Sequence, residues 1–284
     1  MHYIQEKGMK FNLCRIVPDN NFAIHANAFH EIEASIYFTL QKLGYEVSNS
    51  VNQFSDECRN IIFGFHNCPV DVVKHLTPKD SIIYNLEQVR PETNRVCRKL
   101  LNFEVWDYSQ RNIENLKNLG VKNIKYVPIG FVPELSYFQR ESVKDIDVLF
   151  FGSINERRAK ILEELKQNSN LNLVIANQSY GEERDKLLSR SKMVLNLHNH
   201  DTQILEMVRV SHLIQNRVPV LCERNEQTEV PDYLNDCLLT APYEKLVETT
   251  LELVSNTIRL EASAAKAIAI FEKSPMENFV KVAV

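Results

Sequence analysis

Residues 147–158 read DVLFFGSINERR, an apolar run followed by a glycine turn and a charged segment. The run up to Phe151 is short and uninterrupted, which is typical of a strand buried in a parallel sheet. Gly152 and Ser153 form the turn, and a helix is predicted from about Glu156. These residues therefore predict one strand–helix unit of a parallel α/β sheet.

The same alternation of short apolar runs and helical spacing extends in both directions from this unit. Strands are predicted at residues 11–17, 45–47, 61–64, 81–84, 103–106 and 124–127 before it, and at 172–176, 193–197, 218–222 and 237–240 after it. Helices are predicted at 32–43, 109–119, 156–167, 182–189, 203–215, 243–255 and 258–271. The pattern predicts two successive Rossmann-like domains.

A linker is predicted where the alternation stops. Pro128, Gly130 and Pro133 interrupt the pattern, and residues 139–144 are polar, as is typical of a connection between domains. The predicted domains are residues 1–135 and residues 136–284. A chain of 284 residues has room for two domains of ordinary size.

The composition is that of an ordinary globular protein, with 44% hydrophobic and 25% charged residues. The net charge of −4 disfavours a sequence-independent grip on nucleic acid, which needs a basic surface, so no nucleic-acid partner is expected. The six cysteines lack metal-like spacing and fit small buried residues in a reducing compartment. Residues 1–10 are polar, and no apolar run approaches the roughly 18 residues that span a bilayer. A cytoplasmic location is predicted.

Ligands of open α/β sheets bind beyond the carboxyl ends of the strands, which directs attention to Gly152 and its neighbours. Gly152 allows a close backbone approach, Ser153 offers a hydroxyl, and Arg157 and Arg158 fall in the first helical turn. Two arginines at that position indicate a bound anion such as a diphosphate. The alternative is a plain glycine turn with solvated arginines. The motifs GxxxxGK[ST] and GxGxxG are absent, which disfavours a phosphoryl-transfer NTPase and a classical dehydrogenase.

A second polar cluster lies in residues 195–209, LNLHNHDTQILEMVR, at the end of another predicted strand. Asn196 and His198 follow the buried strand, and Glu206 and Arg209 are three residues apart on one face of the predicted helix. Hydrogen bonds from these side chains to a nucleotide-sugar are the favoured interpretation. A purely structural Glu206–Arg209 pair is the alternative.

A metal site is an alternative interpretation of the same cluster. His198, His200 and Asp201 are potential ligands, but alternate strand residues point to opposite faces and no third well-spaced ligand follows. No metal ligand is therefore predicted.

The N-terminal half offers two candidates for a catalytic base. His25 lies between the first strand and the first helix, and Glu87 follows the fourth strand, at the same sheet edge. Either side chain could deprotonate an acceptor hydroxyl, and a capping or surface role is the alternative for each. Gly64, with His66, ends the third predicted strand, and both are expected to line the cleft.

Several segments together resemble a known family. They are YVPIGFVPEL (126–135), DVLFFGSINERR (147–158), YGEERDKLL (180–188), LNLHNHDTQILEMVRVSHLIQNRVPVLCE (195–223) and NLEQ (85–88). They resemble bacterial group-1-like glycosyltransferases of GT-B architecture, most densely over residues 125–223. The resemblance implies an α/β fold of two Rossmann-like domains with a cleft between them.

The resemblance also implies functions for the two halves. The C-terminal half would bind the nucleotide-sugar donor, and the N-terminal half would receive a hydroxyl acceptor on a polysaccharide or glycolipid precursor or a protein. The implied donor contacts are Gly152, Ser153 and Arg157 near the diphosphate, Asn177 and Tyr180 near the base, and Glu206 and Arg209 near the ribose or phosphates. No cofactor and no divalent metal are expected, because helix N-termini and basic side chains stabilise the leaving diphosphate. The last helix would cross back to the N-terminal domain.

The sequence departs from the family pattern at one motif. Many retaining members carry two glutamates eight residues apart, but eight residues after Glu206 the chain has Ile214. Counted back from residues 218–220, the second glutamate position holds His212. The stereochemical outcome therefore stays open.

Two alternatives to a transferase also stay open. One is a nucleotide-sugar epimerase or hydrolase on the same fold, and the other is a non-catalytic GT-B-like protein that binds a nucleotide-sugar or regulates a partner transferase. The N-terminal half is short, so a partner or a second copy in a homo-oligomer could supply part of the acceptor site.

Overall fold

The computed structural model describes residues 8–21, 23–90, 93, 97–200, 203–235 and 237–284. The chain divides into two compact units. Unit 1 comprises Met1–Gly130 together with Met276–Val284, and unit 2 comprises Phe131–Pro275. The sequence placed the division after residue 135, within the same proline-containing segment.

Unit 1 is built on a parallel sheet of six strands. The strands are β1 (Lys10–Arg15), β2 (Glu46–Val51), β3 (Arg59–Phe63), β4 (Ser81–Asn85), β5 (Glu104–Asp107) and β6 (Ile124–Tyr126), in the spatial order β2-β1-β3-β4-β5-β6. The central strands are buried on both faces, which explains their near-continuous apolar runs. Ile62, Ile83 and Val105 belong to one hydrophobic core of this unit.

Within the described residues, helices of unit 1 lie between consecutive strands of its sheet along the chain. They include α1 (His30–Lys42), α2 (Val70–Val73) and α3 (Gln110–Asn118). Ser109 caps α3, because its hydroxyl accepts a hydrogen bond of 3.1 Å from the backbone N–H of Asn112. A 3₁₀ turn at Ala23–Phe29 precedes α1, and another at Phe65–Asn67 follows β3.

Unit 2 is built on a parallel sheet of five strands. The strands are β7 (Ile146–Phe151), β8 (Leu173–Ala176), β9 (Ser191–Asn196), β10 (Val220–Glu223) and β11 (Leu239–Ala241), in the spatial order β11-β10-β9-β7-β8. The chain passes from β7 to β8 on one side and then to β9 on the other side of β7. The switch point of this sheet therefore lies between the carboxyl ends of β7 and β9.

The helices that complete unit 2 are α4 (Glu156–Lys166), α5 (Gly181–Arg190), α6 (Met207–Gln215), α7 (Leu246–Val254) and α8 (Thr257–Phe271). Asn155 caps α4 by accepting the backbone N–H of Arg158 at 2.9 Å. Leu162 and Leu165 on α4 pack into the hydrophobic core of this unit with Val148 of β7. In the described part of the chain, no helix is both long and apolar enough to cross a membrane.

A last helix, α9 (Met276–Val280), belongs to unit 1 and packs against α1. Lys42 of α1 forms an ion pair with Glu277, and the Lys125 ammonium donates to the backbone carbonyl of Ala283 at 2.6 Å. The chain thus leaves unit 1 after Gly130 and rejoins it for its final residues.

The helix predicted at residues 203–215 was wrong at its start, because α6 begins at Met207. Ile204 instead forms a β-bridge with Glu229, and the backbone N–H of Glu229 donates to the carbonyl of Gln203 at 2.7 Å. Gln203 also has a positive φ of 55°, which a helix does not accommodate. Glu206 therefore stands at the start of α6 rather than on its face.

Candidate functional site

The switch point of unit 2 brings together the polar residues that follow β7 and β9. Gly152 and Ser153 come directly after β7, while Asn196 is the last residue of β9 and His198 lies two residues beyond it. Arg209, from the first turn of α6, completes the group. Residues that are far apart in the sequence therefore lie around one sheet edge.

The Arg209 guanidinium covers Gly152. A Cβ atom at residue 152 would lie 2.6 Å from Nη2 of Arg209, and Gly152 has a φ of 121°, which side chains rarely allow. Nη1 of Arg209 donates to Oδ1 of Asn196 at 2.8 Å, and its Cζ lies 5.1 Å from the centre of the Phe151 ring. Burial lowers the pKa of Arg209, and the Glu206 carboxylate opposes that effect.

Glu206 links the two sides of the group. Its carboxylate accepts the Nδ2 amide of Asn196 at 2.9 Å and lies 3.2 Å from Nδ1 of His198. Burial would raise the pKa of Glu206, but the hydrogen bonds from His198 and Asn196 and the charge of Arg209 outweigh it, so the pKa lies below its ordinary value. The carboxylate is therefore kept ionised among its donors.

His198 is buried, and its Nε2 atom has no hydrogen-bond partner among the described residues. Its Nδ1 atom faces Glu206, so a neutral ring with the proton on Nδ1 presents Nε2 as an acceptor. His200 lies apart from it, with Nε2 3.0 Å from the Asn199 amide. Asp201, the third residue of the alternative metal reading, lies outside the described residues.

Arg157, a predicted diphosphate ligand, is engaged within the protein. Its guanidinium forms a two-pronged ion pair with the buried carboxylate of Glu223, with Nη1 2.6 Å from Oε2. Its Cζ lies 3.9 Å from the centre of the Tyr243 ring, and the Tyr243 hydroxyl donates to the backbone carbonyl of Arg157 at 2.8 Å. Glu223 also accepts the backbone N–H of His198 at 3.0 Å.

Arg158 serves as an internal brace and is not a solvated arginine. It is only 2% exposed, and its guanidinium donates to the backbone carbonyls of Ser153, at 2.8 Å, and Leu197. Burial lowers the pKa of Arg158 to about 10. This side chain ties the turn after β7 to the residues after β9.

The other predicted donor contacts lie at the surface of unit 2. Ser153 and Asn177 are exposed, and Tyr180 precedes α5 and is half-buried. Tyr180 is close enough to Arg209 to act electrostatically on its pKa. Tyr180 therefore lies near Arg209 and Ser153 directly follows Gly152, while the donor contacts of Ser153, Asn177 and Tyr180 stay predictions.

Unit 1 holds a cavity of about 210 Å³ beyond the carboxyl ends of β3 and β4. Glu87, one of the two predicted bases, lines this cavity together with His66. Nδ1 of His66 lies 3.8 Å from Oε1 of Glu87, which exceeds hydrogen-bond distance. His25 lies on the 3₁₀ turn Ala23–Phe29, and the last residue of that turn, Phe29, lines the cavity.

Buried polar side chains hold the loop that carries Glu87. Asn112 accepts the backbone N–H of Val89 at 2.8 Å and donates to the carbonyl of Glu87 at 2.9 Å. Asp107, which is fully buried, accepts the Asn85 amide at 2.6 Å and the Asn112 amide at 3.1 Å. Glu87 therefore stands on a loop whose backbone is fixed at several points.

Four of these residues were not predicted as site residues from the sequence: Asp107, Asn112, Glu223 and Tyr243. Asp107 and Glu223 each end a strand at the ligand-facing edge, so the strand-end rule could have identified them. Asn112 lies within a helix and Tyr243 in a turn, and no local pattern marks either as a partner of the site.

No family model matches the chain. Among curated proteins, it is 28% identical over 195 residues to uncharacterized protein L140 of Acanthamoeba polyphaga mimivirus, covering 65% of this chain and 63% of that protein. It is 30% identical over 189 residues to uncharacterized protein L137 of the same virus, covering 63% of this chain and 25% of that protein. The chain thus spans less than two thirds of the length of these relatives.

Solved structures similar to the chain are glycosyltransferases. One is an α-glucosyltransferase in complex with UDP and a 13-mer DNA, with a TM-score of 0.64, 10% identity and coverage of 97% of this chain and 98% of that chain. Another is Anabaena HepE in complex with UDP-glucose, with a TM-score of 0.61, 11% identity and coverage of 97% and 99%. A third is WaaG, a glycosyltransferase involved in lipopolysaccharide biosynthesis, with a TM-score of 0.59, 11% identity and coverage of 96% and 98%.

The fold is that of the GT-B glycosyltransferases, with two parallel-sheet α/β units of six and five strands. The expected fold class is therefore confirmed. At these levels of identity the likeness establishes the fold alone, and the named relatives are viral. The expected similarity to bacterial glycosyltransferases in particular stays a prediction.

Proposed function

We propose that the chain is a glycosyltransferase that moves a sugar from a nucleoside-diphosphate sugar to a hydroxyl acceptor. The observation that carries this proposal is the Arg209 guanidinium held over Gly152 at the switch point of unit 2. A cation beside a glycine turn and the start of a helix is suited to the diphosphate of a donor. The fold of the neighbouring structures supports the same reaction class.

In this account, Arg209 and Ser153 bind the diphosphate, and Gly152 allows its close approach to the backbone. Asn196, His198 and Glu206 are polar groups suited to the hydroxyls of the ribose or the sugar, since the buried Nε2 of His198 can accept a hydrogen bond. Tyr180 and Asn177 are assigned to the nucleobase of the donor. Arg157 is assigned an indirect part, because its ion pair holds the Glu223 carboxylate that accepts the backbone N–H of His198.

The acceptor is assigned to unit 1. Glu87 is the preferred base over His25, because Glu87 itself lines the cavity while His25 lies on the turn beside it. The acceptor oxygen attacks the anomeric carbon and forms the new glycosidic bond, and the bond from that carbon to the diphosphate oxygen breaks. The electron pair leaves with the nucleoside diphosphate, the hydroxyl proton passes to Glu87, and this direct displacement inverts the anomeric centre.

The positive charge of Arg209 is assigned the role of stabilising the leaving diphosphate. The reaction is therefore proposed to proceed without a divalent metal and without a cofactor. The α-glucosyltransferase neighbour is in complex with DNA. For this chain, whose net charge is −4, we propose acceptors other than nucleic acid.

The test is a turnover assay with UDP-, GDP-, dTDP- and CMP-linked sugars, and UDP is tried first because it is present in neighbouring structures. Release of nucleotide that depends on an added acceptor, in buffer containing EDTA, is the expected result. Conversion of the donor without any acceptor would instead identify an epimerase or a hydrolase. Failure to bind or turn over any of these donors would refute the proposal.

A further inference from the structure

The cavity of unit 1 indicates which chemical class of acceptor the chain takes. Its walls include the apolar side chains of Phe29, Phe65, Ile83, Leu86 and Leu100, all of them buried. Phe65, Ile83 and Leu100 belong to the hydrophobic core of the unit, so the cavity opens into that core. A ligand group that enters it exchanges water for apolar contact.

Three of the polar side chains that line the cavity, Tyr84, Asn85 and Thr93, are hydrogen-bonded within the protein, and the Tyr84 hydroxyl donates to the carbonyl of Val127 at 2.7 Å. Asn85 donates to Asp107 at 2.6 Å and to the carbonyl of Glu87 at 2.9 Å. The Thr93 hydroxyl donates to the carbonyl of Arg90 at 2.7 Å. A ring with a hydroxyl on nearly every carbon would place several of them against the apolar walls and these three committed groups, where they lose hydrogen bonds to water, which is costly.

The side chains of His66 and Glu87 at the cavity are placed so that one oxygen atom can contact both. Nδ1 of His66 and Oε1 of Glu87 lie 3.8 Å apart, and both side chains are partly exposed. A hydroxyl oxygen placed about 2.8 Å from each atom makes a hydrogen bond to both. The pair therefore fits a single hydroxyl, donated to Glu87 and accepting from His66.

The volume limits the apolar part of the ligand. A cavity of about 210 Å³ is smaller than the roughly 300–1,000 Å³ of sites for drug-sized molecules, so it suits one compact ring. Phe29 and Phe65 both line the cavity, and an aromatic side chain pairs favourably with a second aromatic ring.

We propose that the acceptor presents a hydroxyl on a single aromatic ring, with the ring in this cavity and the hydroxyl between His66 and Glu87. This inference rests on the proposed glycosyl transfer and specifies its acceptor. The phenolic oxygen attacks the anomeric carbon, the bond from that carbon to the diphosphate oxygen breaks, and the phenolic proton passes to Glu87. His66 donates a hydrogen bond that holds the oxygen in place.

The experiment compares two acceptors of similar ring size, 4-methylphenol and glucose, with the wild-type protein and the donor that it turns over. The expected result is transfer to 4-methylphenol at least ten times faster than to glucose. Equal or faster transfer to glucose would overturn the inference. This comparison needs no variant, so it does not depend on the folding of a substituted chain.

A pair of variants tests the location. Leu86→Phe reduces the cavity and is expected to slow transfer to 4-methylphenol at least ten-fold. Leu101→Phe enlarges an exposed side chain of the same unit and is expected to leave transfer unchanged. Far-UV circular dichroism and the urea unfolding midpoint check that each variant is folded, and a folded Leu86→Phe protein with wild-type transfer would contradict the assignment.

The outcomes separate this inference from the proposed function. If nucleotide binds and the donor is turned over with glucose or another sugar acceptor but not with 4-methylphenol, the inference fails and glycosyl transfer stands. If no donor binds or reacts, the proposed function fails and the inference fails with it.

Discussion

A Cβ atom on Gly152 would lie 2.6 Å from Nη2 of Arg209, so the guanidinium fills the space that a side chain at residue 152 would need. The two residues are joined further through the sheet edge, because Arg209 also donates to Asn196 at 2.8 Å. The position of the Arg209 guanidinium therefore requires a glycine at residue 152, and the cation lies against backbone that no side chain covers.

Gly152→Ala is expected to destabilise the protein by about 1–3 kcal/mol, because the new methyl group meets Arg209 and the backbone has a φ of 121°. Gly120→Ala is the matched control, since Gly120 also has a large positive φ, of 95°, but a Cβ there meets only Cδ2 of Leu101 at 3.5 Å, an ordinary contact. Urea unfolding of both variants measures the difference. Equal losses would show that Arg209 does not occupy the space above Gly152.

Arg209→Ala is expected to lower donor turnover by about 10²–10³-fold, as the removal of one preorganised charge at a leaving group does. Arg190→Ala serves as the control, because Arg190 is an exposed arginine of the same unit that pairs with Asp145. Initial rates at saturating donor distinguish the two. Similar rates for both variants would show that Arg209 does not take part in the reaction.

The Arg157–Glu223 pair is expected to show a coupling energy of about 1–3 kcal/mol in a double-mutant cycle, because Glu223 is buried and the pair is two-pronged. The exposed pair of Arg259 and Glu252 provides the comparison and should couple by less than about 1 kcal/mol. Free energies of unfolding for the single and double alanine variants give both values. Negligible coupling between Arg157 and Glu223 would leave Arg157 available as a direct phosphate ligand.

Stability is expected to depend on the ionisation of Glu206. Its pKa in the folded protein lies below the ordinary value of 4.5, so its contribution is fully present above about pH 4.5 and is lost as the pH falls through the lower folded value. Glu206→Gln removes this component, and the stability of the variant should therefore decline less steeply below pH 4.5. Urea midpoints between pH 3 and pH 7 check this, and identical slopes for the two proteins would contradict it.

The sequence predicted the strands and most helices because burial on both faces produces continuous apolar runs, as at β7 and β4. It failed at the start of α6, where the bridge between Ile204 and Glu229 replaces a helical turn. That bridge joins residues far apart in the chain. Helical periodicity is a local pattern, so it cannot predict a pairing with a distant residue.

Part of the candidate site followed from strand ends, which identified Gly152, Asn196 and His198. The sequence did not show that Arg157 is held by Glu223 and Tyr243, or that Arg158 is buried as a brace. Side-chain partners of an arginine depend on tertiary packing. The residue type alone therefore left both arginines as equal candidates for an anion.

The most direct test of the donor site is a calorimetric titration of the wild-type protein and Arg209→Ala with UDP and, in parallel, GDP, dTDP and CMP. Saturable binding of one nucleotide by the wild type, weakened at least ten-fold in the variant and unchanged by EDTA, is the predicted result. Absence of binding by a folded wild-type protein, or equal affinities for the two proteins, would contradict the assignment of the Arg209 group to the nucleotide-sugar donor.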